Sequence, residues 1–435
     1  MHPDKAPGPD GFNPGFYQKF WHLVGDDVFA AGTEWLSSGI FPPGLNDTVI
    51  TLVPKCGEPE TMKDLRPIAL CNVSYKIAAK VLANRLKHVL PNVISENQSA
   101  FLKGRLITDN VLVAFEILHS MQRNVGKKIG EVALKIDISK AYDRMDWKYL
   151  QQIMLQLGFS SQWVDMVMLC VTTVTYSIRV NDQIVGPITP MRGLRQGDPL
   201  SQYLFILCVE GLSTLIRHSE GLGLLHGAHA ARGAPSVSHL LFADDAFLFC
   251  RATIDECRTL KSILGLYESA SGQAINFSKS GLMCSNNVAA ELKEGISYIL
   301  GVSNPLNTGR YLGLPSLVGR KKKSIFSHLR DRLWNRLQSW CRKPISKAGR
   351  GVLIRAAAQA IPTYFMSVFL LPLSTAEELQ RMLNSFWWGS KRDGSRSINW
   401  LSWEKLCIPR TFVCLGFRDF TSFNLSMLGT QGWRF

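Results

Sequence analysis

The residues best suited to chemistry in this chain are aspartates set at the ends of apolar runs. Asp244 and Asp245 lie between His239–Phe242 and Ala246–Phe249, two short β-prone stretches with almost nothing else polar around them. Such runs joined by a tight turn read as a hairpin presenting two carboxylates at its tip. Aspartate is also a favoured turn residue, so the pair taken alone favours a plain turn. A second apolar stretch, Ala133-Leu-Lys-Ile, ends on Asp137 and changes that balance. Three carboxylates on the ends of neighbouring strands form a hard-oxygen set suited to two Mg²⁺ ions, with Mn²⁺ as the alternative. Phosphoryl and nucleotidyl transfer on a two-metal plan requires such a set. Asp143 and Asp146 follow closely, but are expected to cap or face solvent.

The elements around these carboxylates carry cations, an aromatic ring and glycines. Thr48–Val53 reads as a strand, the segment from Pro54 turns sharply, and Leu65–Leu70 is a second apolar run. Together they predict a two-stranded finger on which Lys55 and Arg66 reach a triphosphate, Lys as a point charge and Arg as a fork. Either cation alone would read as solvated surface. A helix over 74–90 places Lys76, Lys80, Arg85 and Lys87 on a polar face, and Pro91 stops it. In Gln98–Arg105, Phe101 beside Lys103 and Arg105 suits a clamp on a nucleic-acid backbone, or equally an ordinary capped loop before a helix at 107–122.

A helix is expected from Ser139 to Leu157. Tyr142 then lies one helical turn beyond Asp137, where its ring would pack under a nucleotide sugar and exclude a 2′-hydroxyl; a packed core tyrosine is the alternative. Residues 176–180 and 183–188 predict a hairpin around Asn181-Asp182. Gly193–Ser201 leads into an apolar helix over 203–216. Gly197 and the helix start offer amides to phosphate or template backbone, and Gln196 can contact a base pair or sugar. After a helix at 254–271, the run from Gly272 to Ser280 brings Lys279 near the site. Tyr311–Pro315 is a compact turn. The basic run 319–323 suits a nucleic-acid backbone, a nuclear address or a solvated loop.

With 435 residues and 46% hydrophobic content, the chain can bury two or three cores. A formal net charge of +15 makes a polyanionic partner the economical reading, although a ribosome-binding or membrane-surface protein would share it. Ten scattered cysteines without a CxxC pair read as reduced thiols in an intracellular protein, in nucleus or cytoplasm. Cys407 and Cys414 have no Cys/His pair to complete a zinc site, and His226 and His229 read as loop residues. No signal peptide opens the sequence. The uncharged run Ala356–Leu373 contains Pro362 and Pro372 and is expected to form a buried helix followed by a break, so no membrane partner is expected. From Ser324 onward the chain reads as helical, basic and aromatic, suited to lying along a duplex.

These residues resemble the reverse transcriptase of plant LINE-type (non-LTR) retrotransposons over essentially the whole length. The resemblance rests on Lys5-Ala-Pro-Gly-Pro-Asp-Gly, Leu65-Arg-Pro-Ile, Gln98-Ser-Ala-Phe and Asp137-Ile-Ser-Lys-Ala-Tyr-Asp. It continues through Gly193-Leu-Arg-Gln-Gly-Asp-Pro-Leu-Ser, Phe242-Ala-Asp-Asp and Tyr311-Leu-Gly-Leu-Pro, in the family's order. It implies an α+β right-hand polymerase: an N-terminal extension (1–42), fingers and a palm with an antiparallel sheet (43–318), a helical thumb-like region (319–385) and a truncated Trp-rich segment (386–435). It further implies that Asp137, Asp244 and Asp245 hold two Mg²⁺ ions and that Lys55 and Arg66 contact a deoxynucleoside triphosphate. Tyr142 would read the sugar and Gln196 would lie near the templating pair. Leu312 and Gly313 would belong to a primer-gripping turn. RNA template and DNA primer are the partners so implied. Gln202 departs from the family's proline and is expected to loosen its helix start; Val413-Cys414 replaces a Gly-rich pair. Neither the family's endonuclease nor its Cys/His-rich region is expected within these residues. Two other readings stay open: a catalytically silent remnant that binds RNA, and a metal-dependent phosphohydrolase, which would leave Tyr142, Lys55 and Arg66 without a role.

Overall fold

The computed structural model describes all residues except 124–127, 182, 307–309, 316–321, 390–397, 413 and 434–435. It divides into two compact units, Met1–Leu306 and Asn307–Phe435. The small hairpin over 310–315 lies within the second unit. Asp182, Val413 and most of the basic run 319–323 lie outside the described residues.

Two sheets organise the first unit. In one, β1 (Asp47–Pro54) pairs antiparallel with β2 (Leu65–Cys71). On its other side β1 pairs parallel with β4 (Thr175–Val180), which turns back into β5 (Gln183–Ile188). The finger is thus four-stranded, in the order β2-β1-β4-β5, rather than two-stranded. A parallel pairing needs a long crossover, here more than a hundred residues, so no local turn signal announces it.

The second sheet is antiparallel throughout. Its path is β6 (His239–Phe242), β7 (Asp245–Arg251), β3 (Glu131–Ser139) and β8 (Ala274–Ile275), with β9 (Gly281–Cys284) also paired to β3. β3 and β7 are central and read as continuous apolar runs because both their faces are covered. Covering helices include Val73–Val93, Trp147–Gln156, Ser201–Gly221 and Ile254–Ser271. Ser201–Gly221 is buried on nearly every side through Ser213, as expected of a helix apolar all round.

Several local expectations are corrected. Apolar spacing over Phe16–Ser38 predicts one amphipathic helix; the chain there forms two, Pro14–Lys19 and Trp21–Ser38, divided at Phe20. Val73–Val93 carries Pro91 inside its last turn, and Lys76 is buried instead of lying on the polar face. Helix Ser161–Thr172, capped by Ser160, had no counterpart in the sequence reading. The helix expected from Ser139 starts only at Trp147. Asp137, Ile138 and Ser139 are still paired as strand, and Lys140 then takes a left-handed φ of 48° that ends β3 without starting a helix.

In the second unit a small hairpin, β10 (Arg310–Tyr311) and β11 (Leu314–Pro315), precedes a helical array. The single helix expected from Ala356 is absent: Lys347–Ala356 ends there, and only Ala358–Ala360 and Thr363–Met366 follow as short helical turns. Pro362 lacks the N–H that would continue a ladder. Helices Lys322–Cys341 and Leu373–Trp388 pack together, with Trp340 and Phe386 at 5.8 Å. Among the described residues no helix is long and apolar enough to cross a membrane. All ten cysteines are free thiols.

Candidate active site

The carboxylate hairpin is built by its apolar strands. Leu240, Leu241, Ala246, Phe247, Leu248 and Phe249 are buried, and the Phe247 and Phe249 rings stack at 5.7 Å. Phe242 and Asp245 are the last paired residues, so Ala243 and Asp244 make a two-residue turn. Ala243 has a φ of 54°, unusual for alanine.

Asp245 faces Asp137 directly across the β7–β3 ladder. Lys135, two residues before Asp137 and therefore on the same face, places its Nζ 3.5 Å from Asp245 Oδ1. Desolvation pushes the Asp137 carboxyl above its ordinary range; Lys279 and Lys135 pull against this, and Asp245 adds to it. Asp244 is exposed as a residue, but protein crowding one side of its carboxyl desolvates it and pushes its pKa up, and Asp245 and Asp137 add to that. The donor set is all oxygen, and the fold penalises the negative charge of Asp137 and Asp244. A hard divalent cation would answer both features, so the residues fit such an ion. Among the described residues, however, no three His, Cys, Asp or Glu side chains already converge closely enough to cage one.

Tyr142 reaches this site from a turn, not from a helix. Its ring stacks on Phe205 of Ser201–Gly221 at 4.9 Å and 16°, and its carbonyl accepts from Leu194 N. Burial pushes its hydroxyl up to about 12, and the charge of Asp244 adds to the shift. The residue as a whole is half-buried, so part of it remains accessible. Asp146 caps the following helix by accepting from Tyr149 N, as expected.

The loop Gly193–Asp198 is fixed by a buried ion pair absent from the sequence reading. Arg195 Nη2 lies 2.9 Å from Asp198 Oδ2, both almost fully buried. The guanidinium also donates to Asn46 Oδ1, Thr48 Oγ1 and the Cys170 carbonyl, and it sits 4.2 Å from the Tyr75 ring centroid. Tyr75 donates its hydroxyl to the same Asp198 oxygen, and Asp198 Oδ1 caps Leu200 N. The only sequence signal was an Arg and an Asp three apart inside an apolar stretch. The pair ties the loop to the finger sheet, where Ala69 N donates to the Gln196 carbonyl. Gly193 is required: its φ is 94°, and a Cβ there would come within 2.8 Å of the Asp143 carbonyl oxygen. Gln196 is half-buried and Gly197 exposed, so both remain accessible beside the turn that bears Tyr142.

Lys55 and Arg66 are exposed at the end of the β1–β2 pair, where Arg66 lies opposite Val53. Lys55 donates to the Lys63 carbonyl and is near enough to bear on the charge of Asp143. Lys279 is exposed on a turn bonded to β3, since Asn276 N donates to the Asp137 carbonyl. Lys103 is exposed as well. The Arg105 guanidinium donates to the carbonyls of Ile94, Ser95 and Gln98 and so closes the preceding loop. Leu312 and Gly313, both at left-handed φ, form the β10–β11 turn of the second unit, where Tyr364 donates to the Leu312 carbonyl.

Comparison with known proteins agrees with this assembly of motifs. Residues 53–316 match the family model described as "Reverse transcriptase (RNA-dependent DNA polymerase)". An uncharacterized 149 kDa protein of transposon TX1 from Xenopus laevis is 30% identical over 404 residues, covering 92% of this chain and 30% of that protein. A retrovirus-related Pol polyprotein of the type-1 retrotransposable element R2 from Popillia japonica is 25% identical over 287 residues, 64% of this chain and 38% of its own. An uncharacterized mitochondrial protein of Arabidopsis thaliana is 54% identical over 66 residues, 15% of this chain and 54% of its own. The chain thus spans about a third of the length of the two transposon relatives. On the family match over more than half of its residues, the chain belongs to the reverse transcriptase (RNA-dependent DNA polymerase) family, with a domain of the non-LTR retrotransposon type.

Proposed function

We propose that this chain synthesises DNA on an RNA template from a DNA primer, as part of a plant LINE-type element. The observation that carries the reading is the cross-strand pairing of Asp137 with Asp245, with Asp244 on the adjoining turn, in a chain of this family. The primer 3′-hydroxyl attacks the α-phosphate of a deoxynucleoside triphosphate, a new phosphodiester forms, and pyrophosphate leaves. Asp137, Asp244 and Asp245 would hold two Mg²⁺ ions, or Mn²⁺, which when bound would lower the hydroxyl's pKa and offset the leaving group's charge. Lys55 and Arg66 engage the triphosphate from the finger sheet, as a point charge and a fork. Tyr142, whose ring is backed by Phe205, packs against the sugar and excludes a 2′-hydroxyl. Gln196 and Gly197 border the templating pair. Lys103 and Lys279 contact nucleic-acid backbone, and the Leu312-Gly313 turn engages the primer strand. The compartment is nucleus or cytoplasm, where such templates are found.

The test is primer extension on RNA with purified protein, Mg²⁺ and deoxynucleotides. Asp244→Asn should abolish product, by at least about a thousandfold, yet keep RNA binding within a few-fold, because affinity resides in the basic surface. Undiminished synthesis by the variant would remove Asp244 from the site. RNA binding by the wild type without any extension would instead favour the silent remnant.

A further inference from the structure

β6, the edge strand of the palm sheet, is covered along its outer side by residues 97–100. The Asn97 carbonyl accepts from Leu241 N at 2.8 Å, and the Leu241 carbonyl accepts from Ser99 N at 3.0 Å, so the segment runs beside β6 as a short parallel strand. Side chains reinforce it. Asn97 donates to the His239 carbonyl and Asn110 to the Leu241 carbonyl, while Ser99 donates to Asn110 Oδ1. Gln98 extends further, to the tip. It is 1% exposed, and its Oε1 accepts from Ala243 N at 3.2 Å and from Ala100 N at 2.9 Å. Its Nε2 is buried without a hydrogen-bond partner.

We propose that Gln98 is a positioning residue for the carboxylate turn: its side-chain oxygen holds the Ala243 amide and so fixes the left-handed residue that aims Asp244. In a two-residue turn whose first residue is left-handed, that residue's N–H lies beyond the ladder, and here a side chain from a distant loop satisfies it. An alanine costs more than a glycine in that conformation, so an outside constraint is needed to hold it there. Gln98 supplies the constraint from within the core, where water cannot compete. This gives the Gln98-Ser-Ala-Phe stretch a role in setting the catalytic geometry rather than in gripping nucleic acid.

The inference rests on the proposed role of Asp244, but it has a readout that does not. With selective ¹⁵N-alanine labelling, the Ala243 amide of the wild-type protein should exchange slowly with solvent, as a buried bonded N–H does. In Gln98→Met, which keeps the volume and loses the acceptor, that amide should exchange at least about tenfold faster while the β7 amides are unchanged. In the same variant kcat should fall at least about tenfold, with KM for deoxynucleotide and Kd for template–primer within about twofold. Gln98→Glu, which retains an acceptor oxygen, should restore protection of Ala243. Fast Ala243 exchange in the wild type, or unchanged exchange in folded Gln98→Met, would overturn the proposal. So would lost protection with unchanged kcat, or KM and Kd worsening in step with kcat. Should Gln98→Met fail to fold, wild-type protection together with Gln98→Glu decides the matter. Loss of protection in a protein whose Asp244→Asn variant still synthesises DNA would leave the clasp intact and refute only the role of Asp244.

Discussion

The carboxylate hairpin and the Gly193–Asp198 loop both lie beside the turn that bears Tyr142, and they are held by opposite physics. The hairpin is a backbone ladder in an apolar sheet, edged by residues 97–100, and the polar side chains sit at the tip. The loop has no ladder of its own. Its shape depends on a guanidinium and a carboxylate buried together, with their remaining hydrogen bonds spent on Asn46, Thr48, Tyr75 and the Cys170 carbonyl. A ladder tolerates loss of a side chain. A buried pair does not, because the survivor becomes a charge without a partner.

The sharpest way to break this comparison is to remove one member of the pair. Arg195→Met should cost about 3–5 kcal/mol by chemical denaturation, since Asp198 would be left buried and unpaired. Arg195→Met with Asp198→Leu should recover part of that loss, because an apolar replacement of both partners removes the desolvation penalty. A single variant costing under about 1 kcal/mol would place the loop's stability elsewhere.

The two regions also differ in how far the sequence revealed them. The hairpin was legible because strand periodicity, turn chemistry and the absence of other polar residues all agreed, so the paired strands that carry Asp137 and Asp245, and the turn at Asp244, follow from pattern. The Arg195–Asp198 pair was not legible. Its partners, Asn46, Thr48, Tyr75 and Cys170, come from three distant stretches, and local spacing carries no record of who meets whom in a core. The same limit explains the four-stranded finger, since the parallel pairing of β1 with β4 depends on a long-range partner. Tyr142 shows a third outcome. Its neighbourhood was anticipated from a helix that does not form, and a turn bonded to Leu194 brings it beside Asp244 instead.

Tyr142 stands at the seam between the two regions, so its replacement sharpens the contrast. Its backbone is held by the loop and its ring by Phe205, so trimming the ring leaves the hairpin ladder untouched. Tyr142→Val should raise ribonucleotide relative to deoxynucleotide incorporation by about tenfold, equivalent to about 1.4 kcal/mol of discrimination. The stacked pair itself contributes about 0.5–1.5 kcal/mol, so the melting temperature should fall by only a few degrees. An unchanged sugar ratio in a folded, active variant would return Tyr142 to a packing role.

The smallest expected effect separates stability from function at the hairpin tip. The folded-state pKa of Asp244 is raised, first by desolvation and then by Asp245 and Asp137. For an acid, that means the native state binds more protons than the unfolded chain between the ordinary and the raised pKa. Stability therefore declines as pH climbs through that interval, and the penalty is fully present at neutral pH. Asp244→Asn removes it, so without divalent cations at pH 7.5 the variant should melt slightly above the wild type. The gain should be under about 1 kcal/mol, because solvent screens an exposed carboxylate. As pH falls below the ordinary carboxylate value near 3.8, the two proteins should converge, since the wild-type group is then neutral in both states. Added Mg²⁺ should stabilise the wild type by mass action and the variant much less, reversing their order. A variant that melts below the wild type in chelator at pH 7.5 would show that Asp244 contributes to the fold, as Arg195 does, and would erase the distinction between the two regions.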